Sequence, residues 1–148
     1  MKALRNISFL MLLLVAAPSP CFAVWDLWTG TKKEAKELGL EIRSRPNGTT
    51  DVSVDLEIKT EGEFKSFSRG DHPGRVELQI KEGKTSLVSA TLKEDRSKPG
   101  HVVVSFTADR TQLDKLTLRI FVPDRDGGLG GAIYVLRVKD FVEPEKVR

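Results

Sequence analysis

The residues whose types and spacing best fit chemistry are Asp124-Arg125-Asp126 and the glycines that follow, Gly127, Gly128, Gly130 and Gly131. Two carboxylates one residue apart can reach a single hard cation, and glycines let the backbone turn carbonyl oxygens toward it. Asp124 and Asp126 are therefore candidate calcium ligands, with Asp71, Asp95 and Asp109 as the acids that other loops offer. The same run is also what a solvated hairpin end requires, since Asp and Gly accept the backbone angles of tight turns. On that reading no cofactor is needed, and Asp124, Asp126, Gly127, Gly128, Gly130 and Gly131 form a loop that contacts a protein. A second candidate surface is aromatic. Trp25 and Trp28 either anchor a neighbouring helix or present a patch to a partner or sugar.

Catalysis has few residues to draw on. His72 and His101 are the only histidines, and neither stands in an HExxH arrangement. No GxSxG elbow is present. The one glycine-rich run lies between two strand-like segments, whereas a phosphate-binding loop must open a helix. Asp55 and Glu57 alternate with apolar residues and so belong on a charged outer face, where cross-strand ion pairs account for them. The reading is a non-enzymatic module. A hydrolase whose catalytic groups lie far apart in sequence is an alternative.

The elements that must hold these residues are mostly strands. Residues 24–39 carry the one helical signal: Thr31 and Glu34 fit a capping box, Lys32 to Leu38 are good helix formers, and Gly39 suits a left-handed C-cap. Two turns of helix are too short to stand alone and must dock. From Leu38 the apolar period becomes two, through Ile42 to a stop at Pro46-Asn47-Gly48. Val52, Val54, Leu56 and Ile58 then alternate strictly with polar residues, the signature of a half-buried strand.

Residues 62–74 break the alternation and read as a loop tucked down by Phe64 and Phe67. Further strands follow at Val76–Ile80, Val88–Leu92, Val102–Ala108, Leu116–Val122 and Tyr134–Val138, with residues 93–100 a polar loop. The last of them is apolar on both faces, which predicts a place inside its sheet. Alternating faces of this kind come from antiparallel sheets packed on one side. The fold class is therefore all-β: an antiparallel β-sandwich of about seven strands over residues 40–142, immunoglobulin-like or fibronectin-III-like, with a short N-terminal helix. A closed barrel is the runner-up. Charged outward positions argue against an outer-membrane barrel.

Two families share short stretches with this chain. The run LRIFVPDRD resembles the calcium loop of C2 domains, which are also β-sandwiches and also place Asp-x-Asp after a strand; Arg125 between the acids departs from it. The resemblance implies calcium at Asp124 and Asp126. The runs NGTT at 47–50 and GLGG at 128–131 are similar to loop motifs of chagasin-like cysteine-protease inhibitors, without the proline of the first motif or the third motif. That resemblance implies a protease inhibitor.

Residues 1–23 read as a signal peptide. Lys2 and Arg5 precede the apolar run 9–17, and Cys21-Phe22-Ala23 offers a cleavage site before Val24. The run is too short to span a bilayer. Cleavage would remove the only cysteine and leave 22 basic against 21 acidic residues. A nearly neutral chain with interspersed charges excludes nucleic acid as the natural partner, and cleavage of the leader would remove the apolar segment that could hold the chain to a membrane. Export to a periplasm or the extracellular space follows, with a protein as the partner class. Residues 143–148 form a charged tail.

Overall fold

Val52, Val54, Leu56 and Ile58, alternating with Ser53, Asp55 and Glu57, build the strand on which one sheet is centred. The structure is a computed structural model and describes residues 24–28, 30–68, 70–82, 85–89, 92–126 and 130–142, with backbone alone for 24–28 and 85–89. The expected leader, 1–23, and the expected tail, 143–148, lie outside the described residues.

In chain order the elements are β1 (Val24–Trp28), α1 (Lys32–Leu38), β2 (Leu40–Asn47), β3 (Asp51–Lys59), β4 (Arg75–Glu82), β5 (Thr85–Ser89), β6 (Lys93–Asp95), β7 (His101–Asp109), β8 (Leu116–Pro123) and β9 (Gly131–Arg137). Among the described residues, 3-10 segments join β3 to β4 at Gly62–Ser68 and β7 to β8 at Arg110–Lys115, and a third, Val138–Asp140, follows β9. Strands dominate and form two sheets, ordered β1-β9-β8-β4-β5 and β2-β3-β7-β6. Every pairing is antiparallel except that of β1 with β9. No helix among the described residues is long and apolar enough to cross a membrane.

The strict alternation in sequence becomes strict alternation in burial. Val54, Leu56 and Ile58 of β3, Val102 and Val104 of β7, Leu118 and Ile120 of β8 and Leu136 of β9 are at most 1% exposed. They belong to one core fed by both sheets. Each such aliphatic side chain contributes about 1.5–3 kcal/mol by leaving water. The opposite face of β3 carries an ion-pair ladder, with Arg45 3.6 Å from Asp55 and Arg43 3.7 Å from Glu57.

Six of the seven expected strands are present near their expected places, and β1 and β6 are additional. The strand expected at Val88–Leu92 runs instead over Thr85–Ser89, with residues 90–91 outside the described residues. The helical reading of 24–39 is corrected for its first part: residues 24–28 form β1, and only Lys32–Leu38 are helical. Trp25-Asp26-Leu27-Trp28 carries aromatic and branched residues that suit an extended chain, and β9 offers an unpaired edge for it. The capping box is formed: Glu34 accepts from the Thr31 N–H at 2.7 Å, and Thr31 Oγ1 accepts from the Glu34 N–H at 3.4 Å. Gly39 stops the helix at φ +90°, so the next strand begins at Leu40, two residues later than the periodicity implies. The polar loop 93–100 contains the short β6, whose exposed Lys-Glu-Asp sequence carries no apolar signal. The loop 62–74 contains a 3-10 helix held down by Phe64 and Phe67, both fully buried as their type predicts. β9 lies inside its sheet, between β1 and β8, as expected, while Ile133 and Val135 on its second face are only half-buried.

Candidate functional site at the glycine-loop end

The loop after β8 is rooted in the core and opens to solvent. Val122 and Pro123 are buried, whereas Asp124, Arg125 and Asp126 are exposed. The Asp124 N–H donates to the Gly130 carbonyl at 3.1 Å and closes the loop at its base. Gly127 and Gly128 lie outside the described residues. Gly130 is buried, and Gly131 is the first residue of β9, paired with Pro123. A Cβ on Gly131 would stand 2.4 Å from the Val122 carbonyl oxygen and 2.8 Å from the Phe121 ring. That glycine is a packing requirement of the hairpin.

Beside this loop sits the 3-10 helix Gly62–Ser68, which leaves the end of β3. Three contacts bind the two segments. Ser66 Oγ donates to the Pro123 carbonyl at 2.5 Å. The Phe64 and Tyr134 rings meet with centroids 5.0 Å apart and planes tilted by 46°. Arg125 donates to the Gly62 carbonyl at 3.0 Å and lies 3.9 Å from Glu63. Burial pushes the Tyr134 phenol above its ordinary pKa; the Glu63 carboxylate adds to that, and the Arg125 guanidinium opposes it. Behind the 3-10 helix, Arg96 donates to the Gly74 carbonyl at 2.9 Å and covers the Phe67 ring at 5.3 Å.

Arg125 is the functional candidate that sequence reasoning passed over. By spacing it only separates two acids; in the fold it reaches back across more than sixty residues of chain to the preceding loop. The sole signal was its position, a long cation at the tip of a hairpin.

The acids do not converge. Among the described residues, no group of three or more His, Cys, Asp and Glu side chains is placed to share a metal ion. Asp95 accepts from the Ser97 N–H at 2.8 Å. Asp109 caps the segment Arg110–Lys115 by accepting from Thr111 at 2.7 Å, and it pairs with Asp51 at the end of β3 remote from Gly62–Ser68. Asp71 is exposed. The NGTT run forms the β2–β3 turn, also at the Asp51 end, so it is not brought to Gly130 and Gly131. The first of the two runs shared with protease inhibitors and the described end of the second, Gly130 and Gly131, thus sit at opposite ends of the strands.

The histidines are separated as well. His72 is exposed. His101 places Nδ1 2.6 Å from a Glu57 carboxylate oxygen without the alignment of a hydrogen bond, and Lys98 lies 3.7 Å from the same oxygen. Trp25 and Trp28 pair through the backbone with Ala132 and Tyr134 of β9; their side chains lie outside the described residues. Comparison with protein-family models, with curated proteins and with solved structures found no match.

Proposed function

We propose that this chain is an exported, non-catalytic β-sandwich of immunoglobulin-like architecture that binds a protein partner through the end formed by Asp124–Gly131 and Gly62–Ser68. The strand order supports the architecture. If β2 to β9 are taken in turn as the A, B, C, C′, D, E, F and G strands, the two sheets read A-B-E-D and G-F-C-C′. In such domains the B–C and F–G loops share one end, and here those are the 3-10 helix and the glycine loop. The step from that end to binding is by analogy, since loops on a rigid scaffold are where such domains place recognition.

The observation that carries the reading is Arg125, whose guanidinium joins the two loops at Gly62 and Glu63. Tied together, Asp124, Asp126 and Arg125 present charge on a surface that loses little entropy on binding. The leader-like residues 1–23 support export.

The test is site-specific photocrosslinking in the native cell, with the probe at Asp126 or, as a control, at Ser53 on the outer face of β3. A discrete adduct from the loop and none from the sheet supports the reading. Equal adducts, or none from either, overturn it. Thermal unfolding with calcium and with chelator separates the metal alternative. A melting temperature that rises with calcium, and no longer does so in Asp124→Asn, would make calcium part of the contact.

A further inference from the structure

The turn from β2 to β3, at the end of the strands remote from Gly62–Ser68, carries the dipeptide Asn47-Gly48. An asparagine side chain holds its amide carbon within reach of the next backbone nitrogen, and joining the two closes a five-membered ring, an intramolecular step favoured by proximity. A side chain on the following residue crowds that nitrogen; glycine has none. The fold leaves the approach open. Asn47 and Gly48 are both exposed, and nothing lies within 4 Å of the place where a Cβ on Gly48 would stand. Gly48, at φ +75°, is outside the paired strands, and among the described residues no backbone carbonyl accepts its N–H.

Asn47 also begins a row. It ends β2, its register partner Asp51 begins β3, and the partner of Asp51 is Asp109, which ends β7. Residues directly opposite in this way share a face of the sheet. Asp51 accepts from Thr50 Oγ1 at 3.2 Å, and Asp109 accepts from the Thr111 N–H at 2.7 Å. Two acids and one neutral amide therefore finish the three strands.

We propose that Asn47 is a self-modifying site: it deamidates in the folded chain without an enzyme, and the carboxylate it leaves loosens this end of the sheet. The Gly48 nitrogen gives up its proton to water and bonds to Cγ of Asn47. The bond from Cγ to the side-chain nitrogen breaks, and that nitrogen leaves as ammonia. Water then opens the ring at either carbonyl, giving an aspartate or an isoaspartate whose main chain is one carbon longer. Either product sets a negative charge opposite Asp51, itself opposite Asp109, and like charges directly opposite are destabilising. Isoaspartate also lengthens the chain at the first pair of the hairpin and so disturbs its register with Asp51. Water is the one co-reactant. The proposal involves none of the residues of the glycine-loop end and stands or falls apart from it.

The experiment holds the full chain at mildly alkaline pH, folded and in urea, and follows the peptide containing Asn47 by mass spectrometry. Replacement of NH2 by OH, with isoaspartate among the products, is expected at comparable rates in both samples. Asn6, the other asparagine of the chain, precedes the branched Ile7 and should stay intact over the same period. Conversion of Asn47 in urea alone, or conversion of Asn6 as fast as Asn47, would overturn the site. The effect of the charge is read separately by thermal melts. Asn47→Asp should lower the melting temperature by a few degrees at low salt, and by less at high salt, where the repulsion is screened. The loss should disappear in a chain that also carries Asp51→Asn. An unchanged melting temperature, or a loss that neither salt nor Asp51→Asn relieves, would overturn the loosening.

Discussion

Ser66 Oγ donates a hydrogen bond to the carbonyl oxygen of Pro123 inside the core, joining residues 57 positions apart in the chain. Ser66 is the one buried polar residue among those described, 4% exposed. It ties the root of the glycine loop to the 3-10 helix that Arg125 reaches from outside. Ser66→Ala removes the donor and leaves a buried carbonyl short of a partner, which costs about 1–3 kcal/mol. Urea unfolding should show that loss at unchanged slope; a midpoint equal to that of the parent chain would contradict it.

Glycine substitutions should separate scaffold from surface. In Gly131→Ala the new methyl meets backbone, the Val122 carbonyl at 2.4 Å, which has no rotamer to move. Overpacking of this kind costs about 1–3 kcal/mol or more. Gly70 is exposed, has no positive φ and nothing near its would-be Cβ, so Gly70→Ala should be neutral or slightly stabilising through the unfolded chain. Thermal melts of the two variants test the contrast, and equal melting temperatures would refute it.

Much of this fold was legible because the sheets bury one face. Alternation in Val52–Ile58, Val102–Ala108 and Leu116–Val122 can be satisfied only by strands with a common inside. Thr31, Glu34 and Gly39 likewise act within a few residues of themselves, so their caps could be read directly. What escaped has long-range causes. β1 is a strand because β9 offers it an edge, and β6 because β7 does; neither partner is visible from the local sequence. The candidate site was half legible for the same reason: glycines announced the loop, but the Arg125 contacts depend on where residues 62–63 arrive in space.

Arg96 illustrates such a contact and allows a further check. Its planar guanidinium lies over the Phe67 ring and also donates to the Gly74 carbonyl at 2.9 Å. A lysine ammonium lacks the planar fork needed to do both. Arg96→Lys should therefore cost about 0.5–2 kcal/mol, measured by urea unfolding. Full stability in the lysine variant would show that charge alone suffices.

Acid should unfold the chain partly through three hydrogen-bonded carboxylates. Backbone donation by Thr31 holds Glu34 below its ordinary pKa, and hydrogen bonds from Ser97 and Thr111 do the same for Asp95 and Asp109. A carboxylate lowered in the folded state contributes stability that is present above its unfolded pKa and is lost as pH falls through the folded one. Asp109→Asn keeps an acceptor for Thr111 but does not titrate. Its melting temperature should decline less steeply with acid than that of the parent; identical acid limbs would exclude Asp109 as a contributor.

Tyr134 is the only tyrosine in the chain, so phenolate absorbance reports one site, at the base of the glycine-loop end. Burial raises its pKa above the ordinary value of 10.0, Glu63 raises it further, and Arg125 lowers it. A folded pKa above the unfolded one means stability that is complete below about pH 10 and lost as pH rises through the folded value. In an alkaline titration the parent chain should ionise later than free tyrosine, and unfolding should become easier over the same range. Removing each neighbour should move the midpoint in a stated direction. Glu63→Gln takes away a negative charge and should bring it down, whereas Arg125→Ala takes away the compensating cation and should push it up. Opposite shifts would place Arg125 and Glu63 against the ring in solution. Unmoved midpoints in both variants would mean that the Arg125 link between the two loops is not formed there, and the binding surface built on it would lose its support.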